Sequence, residues 1–343
     1  MAFDAFGGIP ERDDSREEDI IGKHEEDAKP IINGDETELE QFPMAGALIV
    51  DGIVEFDGYD PRAIRWFLCS SVLVAPDVVM AAAHCADWEM ITKGEGAMRN
   101  VTMRWTRETD VTALQGWEVA PWPDDSVKIH SWSLHPDWDL HKMVTPVGEN
   151  ADLALFFLDE PLIDAPLGIL PGPEDMGLVK LDAPVAVVGW GRTEEGTSGI
   201  KHSGVSEITE VSPWEFQVGD QVDMTRQCFG DSGGPTFAAS LEGWTVFPGD
   251  DGRTHPLRVV GVTSHLWDST DCTSKGALST RIDYYLDWID SEMRARCADN
   301  TRKWCDEQGV LPPEWFFSHE PEEVMEDHKT CNSTGTNASW LLL

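Results

Sequence analysis

Gly230-Asp231-Ser232-Gly233-Gly234-Pro235 is the most informative stretch of this chain. A serine hydroxyl is a poor nucleophile, so chemistry built on it needs a tight turn that presents the oxygen and aims nearby N–H groups at a developing oxyanion. Glycines on both sides allow a backbone path that a Cβ would crowd. Such a serine also needs a base. His84, in Ala81-Ala82-Ala83-His84-Cys85 at the end of a strand-like run, is the candidate, because an imidazole can take a proton near neutrality and return it. Asp152, in Asp152-Leu153-Ala154-Leu155, places a carboxylate at the edge of an apolar strand, where it could fix the imidazole tautomer and stabilise its cationic form. Taken singly, each has an ordinary reading: a solvent-facing Ser, a satisfied core His, a turn or cap Asp.

The residues around these three have the pattern of a β protein. Short apolar and β-branched runs broken by Gly, Pro and Asp recur at Ala45 to Val50, Ser71 to Val74, Val78 to Ala82, Leu153 to Leu158, Val185 to Val188 and Val259 to Thr263. That spacing predicts an all-β sandwich or barrel. One helix is predicted late, where Ile282, Leu286, Ile289 and Met293 fall on one face. The Pro-rich stretch from Asp159 to Asp182 reads as a connector between two β units. Residues 1–30 are acidic with little apolar periodicity and read as a flexible leader. Beyond Cys297 the chain turns polar and irregular.

Composition removes several functions. With 25 Lys+Arg against 63 Asp+Glu, the formal charge of −38 excludes a nucleic-acid binder working through a basic face. No stretch approaches the roughly 18 apolar residues of a membrane span, so no membrane partner is expected. The first ten residues carry neither a cationic start nor a long apolar run, and no export signal is read there. At 41% hydrophobic residues the chain can bury one large or two modest cores.

The ordered set Ile31-Ile32-Asn33-Gly34, Ala82-Ala83-His84-Cys85, Asp152-Leu153-Ala154-Leu155, Gly189-Trp190-Gly191, Gly230 to Pro235 and Val262-Thr263-Ser264 resembles the trypsin-like (chymotrypsin-fold) serine proteases, from Ile31 to about Met293. The resemblance implies two packed antiparallel β-barrels (about 31–160 and 175–282) with the working groups in the cleft between them. A C-terminal helix (282–296) would complete a protease domain at 31–296, leaving an irregular, Cys-containing extension at 297–343. It implies Ser232 as nucleophile, His84 as general base and acid, Asp152 as orienter, and the N–H groups of Gly230 and Ser232 as oxyanion hole. Ser264 would begin the segment that pairs with substrate backbone. A protein or peptide substrate is implied, with no cofactor and no metal.

By the same resemblance Cys69 should bridge Cys85, and Cys228 should bridge Cys272, which implies an oxidising, secreted or extracytoplasmic setting. Seven cysteines leave Cys297, Cys305 and Cys331 as one pair plus one leftover, the pair undetermined. His130, His135 and His141 read as surface or packing groups, and Trp88, Trp105, Trp117, Trp122, Trp132 and Trp138 as packing. Asn100, Asn332 and Asn337 match the glycosylation pattern.

Some positions depart from the family. An activating protease would be expected to free Ile31, whose ammonium would pair with Asp231, yet Ile31 follows Pro30 and Lys29. The pocket-floor position falls on Arg226, which disfavours cleavage after Lys or Arg; the guanidinium could recruit acidic side chains but is expected to point away into a salt bridge with a carboxylate. Ser264 is followed by His265 and Leu266, and a bulky Leu266 would favour small side chains in the pocket.

Overall fold

The computed structural model describes residues 31–56, 59–88, 92, 96–115, 119–143, 147–193, 196–239, 257–267, 272 and 275–310. The leader, Trp117, Cys331, Asn332 and Asn337 lie outside the described residues.

Among the described residues thirteen strands follow one another: β1 (Asp35–Glu36), β2 (Ala45–Phe56), β3 (Arg62–Ala75), β4 (Val78–Ala81), β5 (Gly96–Thr106), β6 (Val127–Leu134), β7 (Ala154–Leu158), β8 (Pro184–Gly189), β9 (His202–Val211), β10 (Glu215–Val218), β11 (Pro235–Ala239), β12 (Leu257–Leu266) and β13 (Ala277–Arg281). A helix over Ile282–Ala298 comes last. The order β2-β3-β4-β7-β6-β5 closes one barrel. In the second, β9-β10-β13-β12-β11-β8 lie side by side and β8 pairs with β9 to close the ring, β1 adding to β9 from outside. The molecule therefore has two six-stranded antiparallel barrels and one C-terminal helix, as the resemblance implied.

Closure removes every exposed edge that strands this apolar would otherwise present. All four residues of β4, Val78–Ala81, are buried because both its faces meet protein. In the second barrel Val185, Val187, Ile208, Phe216, Val218 and Val260 build the core, and Ile31 is fully buried among them. Small residues let the large ones in. A Cβ on Gly46 would lie within 2.4 Å of the Trp105 ring, and one on Gly261 within 2.4 Å of Phe216.

The helix buries Ile282, Leu286, Ile289 and Met293, the face its periodicity marks out, together with Tyr285 and Asp290. It begins at the end of the second barrel and leans on the first. Arg296 donates to Ser131 Oγ (2.9 Å) and Ser133 Oγ (2.6 Å) on β6 and lies 4.1 Å over the Phe157 ring on β7. His135 sits between Tyr285 and Trp288 at 4.9 and 4.8 Å, a packing role.

Candidate active site

Asp152 lies just before β7, fully buried, and faces the short turn Ala83–Ala86 that follows β4. Its Oδ1 accepts the His84 backbone N–H at 2.9 Å, and its Oδ2 lies 2.7 Å from His84 Nδ1 and 2.6 Å from Ser264 Oγ. Burial alone would raise the Asp152 pKa. The His84 ring and the hydrogen bonds from His84 and Ser264 outweigh it and hold the carboxyl below its usual range. An ionised carboxylate can only accept, so the His84 Nδ1 carries a proton and the neutral ring presents Nε2 as an acceptor. Trp138, whose ring centroid is 6.4 Å from that of His84, is held by its own Nε1 bond to Asp87 at 2.9 Å.

Ser232 is half-buried, in the turn that leads into β11. Gly230 and Gly233 on either side have φ of +92° and +80°, the left-handed region that favours glycine. This turn packs directly on the segment carrying His84: a Cβ at Gly233 would lie 2.8 Å from Ala81 Cβ, 3.1 Å from Ala82 N and 2.4 Å from Ser70 O. The alanines before His84 thus admit the serine turn. Ser70 on β3 ties the same turn across the barrels, its N and Oγ donating to Gly230 O at 3.2 and 3.1 Å.

Asp231 points the other way and is fully buried. Its Oδ1 accepts from Gly191 N and its Oδ2 from Cys228 N, both at 2.8 Å. The glycines of Gly189-Trp190-Gly191 make the room, since Cβ atoms there would sit 2.1 Å from Asp231 Oδ1 and 2.4 Å from its Cγ. Burial pushes the Asp231 pKa up to about 7, against the lowering effect of those two N–H groups. Ile31 is embedded by its side chain in the second core.

Arg226 is fully buried and turned inward: Nε donates to Cys272 O at 2.7 Å, Nη2 to Val222 O at 3.3 Å and Nη1 to Gln221 O. Leu266 is buried against Ile32, Cys228, Cys272 and Ala277. Disulfides join Cys69 to Cys85, Cys228 to Cys272 and Cys297 to Cys305. Cys69, His84 and Cys85 lie close together, but the sulfurs bond each other, which leaves no thiolate for a metal.

Two residues at this site were not singled out in the sequence. Ser70 holds the Gly230 carbonyl, and Glu215 is buried behind Ser264. Neither sits in a recognisable motif, and both reach the site only through barrel closure.

A trypsin family model matches residues 31–289. The chain belongs to the trypsin family. Phenoloxidase-activating factor 1 of Holotrichia diomphalia is 25% identical over 293 residues, spanning 78% of this chain and 71% of that protein. Melanization protease 1 of Drosophila melanogaster is 24% identical over 295 residues, spanning 77% of this chain and 66% of that protein. Chymotrypsin-like elastase family member 3B of Macaca mulatta is 27% identical over 281 residues, spanning 76% of this chain and 92% of that one. Within this trypsin-family chain, no described helix is long and apolar enough to cross a membrane.

Proposed function

We propose that this chain is a serine endopeptidase that works through an acyl-enzyme. Ser232 Oγ attacks the carbonyl carbon of the scissile peptide while His84 Nε2 takes the hydroxyl proton, and the N–H groups of Gly230 and Ser232 receive the oxyanion. His84 gives that proton to the leaving amine. Water then attacks the ester with His84 as base again, which releases the acid and restores the serine hydroxyl. The observation that carries this reading is the His84 ring held at 2.7 Å by a buried, ionised Asp152, with the glycine-flanked Ser232 turn packed on the residues just before it. A fluorophosphonate probe tests it. Labelling at Ser232, abolished in Ser232→Ala and reduced about 10³-fold or more in His84→Ala, is expected. Absence of labelling in leader-free protein overturns it.

The inward Arg226 and the wall-forming Leu266 support cleavage after small residues, in protein or peptide substrates, with Ser264 and His265 beside the substrate backbone. A peptide-library profile dominated by Lys or Arg would refute that assignment. Three disulfides suit a secreted or extracytoplasmic setting.

A second reading, a zymogen-locked or silent homologue that binds instead of cutting, draws on one observation: Asp231 is buried with two N–H donors and no cation against it among the described residues. An activating protease tolerant of Pro30 would supply one, as the ammonium of Ile31. Terminal sequencing of active material distinguishes the two, because an intact leader on fully active protein excludes that activation step.

A further inference from the structure

The hydrogen-bonded chain behind His84 continues past Asp152. Ser264 Oγ, 2.6 Å from Asp152 Oδ2, is also 3.1 Å from His265 Nδ1, and that nitrogen is 3.8 Å from Glu215 Oε1. Glu215 is fully buried on β10. Its Oε2 accepts from Gly148 N at 2.6 Å, in the loop that leads to Asp152, while Oε1 has no hydrogen-bond partner. The direction of each bond follows from valence. Ionised Asp152 can only accept, so the single Ser264 proton goes to it; Ser264 Oγ must then accept from His265, which requires a proton on Nδ1. The same nitrogen stands 3.8 Å from Glu215 Oε1.

We propose that Glu215 and His265 are positioning residues for the His84–Asp152 pair: the Glu215 carboxyl keeps the proton of His265 on Nδ1, and the hydrogen bond from Nδ1 to Ser264 fixes the Ser264 hydroxyl as a donor to Asp152. The inference rests on the protease reading above. Its physical basis is that a buried Asp152 needs every lone pair that faces protein to be met by a donor, and Ser264 can be that donor only while something else satisfies its own oxygen. Burial, with Asp152 adding to it and the Gly148 N–H opposing it, pushes the Glu215 pKa up to about 8. The carboxylate, which accepts at both oxygens and so holds the Nδ1 proton, is the form present above that pH, where a second negative charge appears behind Ser264; below it the carboxyl carries a proton of its own. Among the described residues, the titratable groups that face or act on it are Asp152 before β7, His265 on β12 and Tyr285 on the helix. Arg281 at the end of β13 is turned to Asp283 and Ser212 O.

Two measurements test this. In full-chain protein with 15N-labelled histidine rings, assigned with His265→Gln, the His265 proton is expected on Nδ1 above about pH 8; a neutral ring protonated only at Nε2 there overturns the relay. The pH dependence of Ser232 labelling by fluorophosphonate, after leader removal, is then compared with Glu215→Gln. A rate step of about threefold or more near pH 8 is expected in the parent and not in the variant. Profiles of the same shape overturn the proposal, since a purely structural Glu215 would change stability and leave the profile alone. No labelling in either protein, with the proton on Nδ1, sinks the protease reading and leaves the relay standing. Labelling together with the Nε2 tautomer does the reverse.

Discussion

At the scale of single residues, the glycines around Ser232 carry more structural information than the serine itself. Gly233 combines a φ of +80° with backbone and side-chain neighbours that would stand 2.4 to 3.1 Å from a Cβ. Gly233→Ala therefore forces both backbone strain and a clash with Ser70 O, which belongs to the other barrel. The expected outcome is a loss of about 3 kcal/mol or more in urea unfolding, together with loss of Ser232 labelling. Gly177, with a φ of +93° and open space around it, carries the strain alone, so Gly177→Ala should cost about 1 kcal/mol. The comparison separates crowding from conformation.

At the scale of elements, the segment after the helix behaves as a strap across the first barrel. Arg302 and Asp77 are both fully buried, and Arg302 Nε and Nη2 reach Asp77 at 2.8 to 3.1 Å, with Trp304 N donating to the same carboxylate at 3.1 Å. The Cys297–Cys305 disulfide closes the strap on itself. The family match ends at residue 289, so Arg302 lies beyond it while Asp77 lies within it. Arg302→Ala leaves Asp77 buried and uncompensated and is expected to cost about 3–5 kcal/mol by urea unfolding. Arg302→Met with Asp77→Leu should recover most of that loss, because no charge is then left buried alone. A loss of under 1 kcal/mol in Arg302→Ala would mean that the strap is detachable.

At the scale of the whole molecule, buried acids set the pH dependence. Unfolded Asp231 ionises near 3.8 and folded Asp231 near 7, so between these values the folded chain binds the extra proton. Glu215 adds a second such window, between 4.5 and about 8. Through these two groups stability of the uncut chain falls as pH rises from about 4 to about 8, Asp231 contributing of the order of 4 kcal/mol, while His202, lowered to about 4 by burial, opposes them up to about pH 6.5. Asp231→Asn should flatten the lower part of that slope in thermal melts taken across the range. Removal of the leader should flatten it too, if the Ile31 ammonium settles against the carboxylate. A stability difference between the parent and Asp231→Asn that does not shrink as pH rises through the same interval would contradict the burial argument.

Much of this was legible in the residues, for a local reason. A strand buried on both faces has to be apolar throughout, as Val78–Ala81 is, and a crowded turn at positive φ favours glycine, as at Gly230 and Gly233. The helix face Ile282, Leu286, Ile289 and Met293 follows from periodicity in the same way. Such constraints act within a few neighbours, so β2, β3, β4, β7, β8 and β12, the helix and the Ser232 turn could be read without coordinates, whereas the more polar β5, β6 and β9 could not. Contacts between distant segments leave no such mark. That Glu215 stands behind Ser264, that Arg226 turns inward to the carbonyls of Cys272 and Val222, and that Arg302 finds Asp77 were decided only when two barrels closed and packed, because a buried charge or hydroxyl takes its partner from whatever the fold brings within about 3 Å.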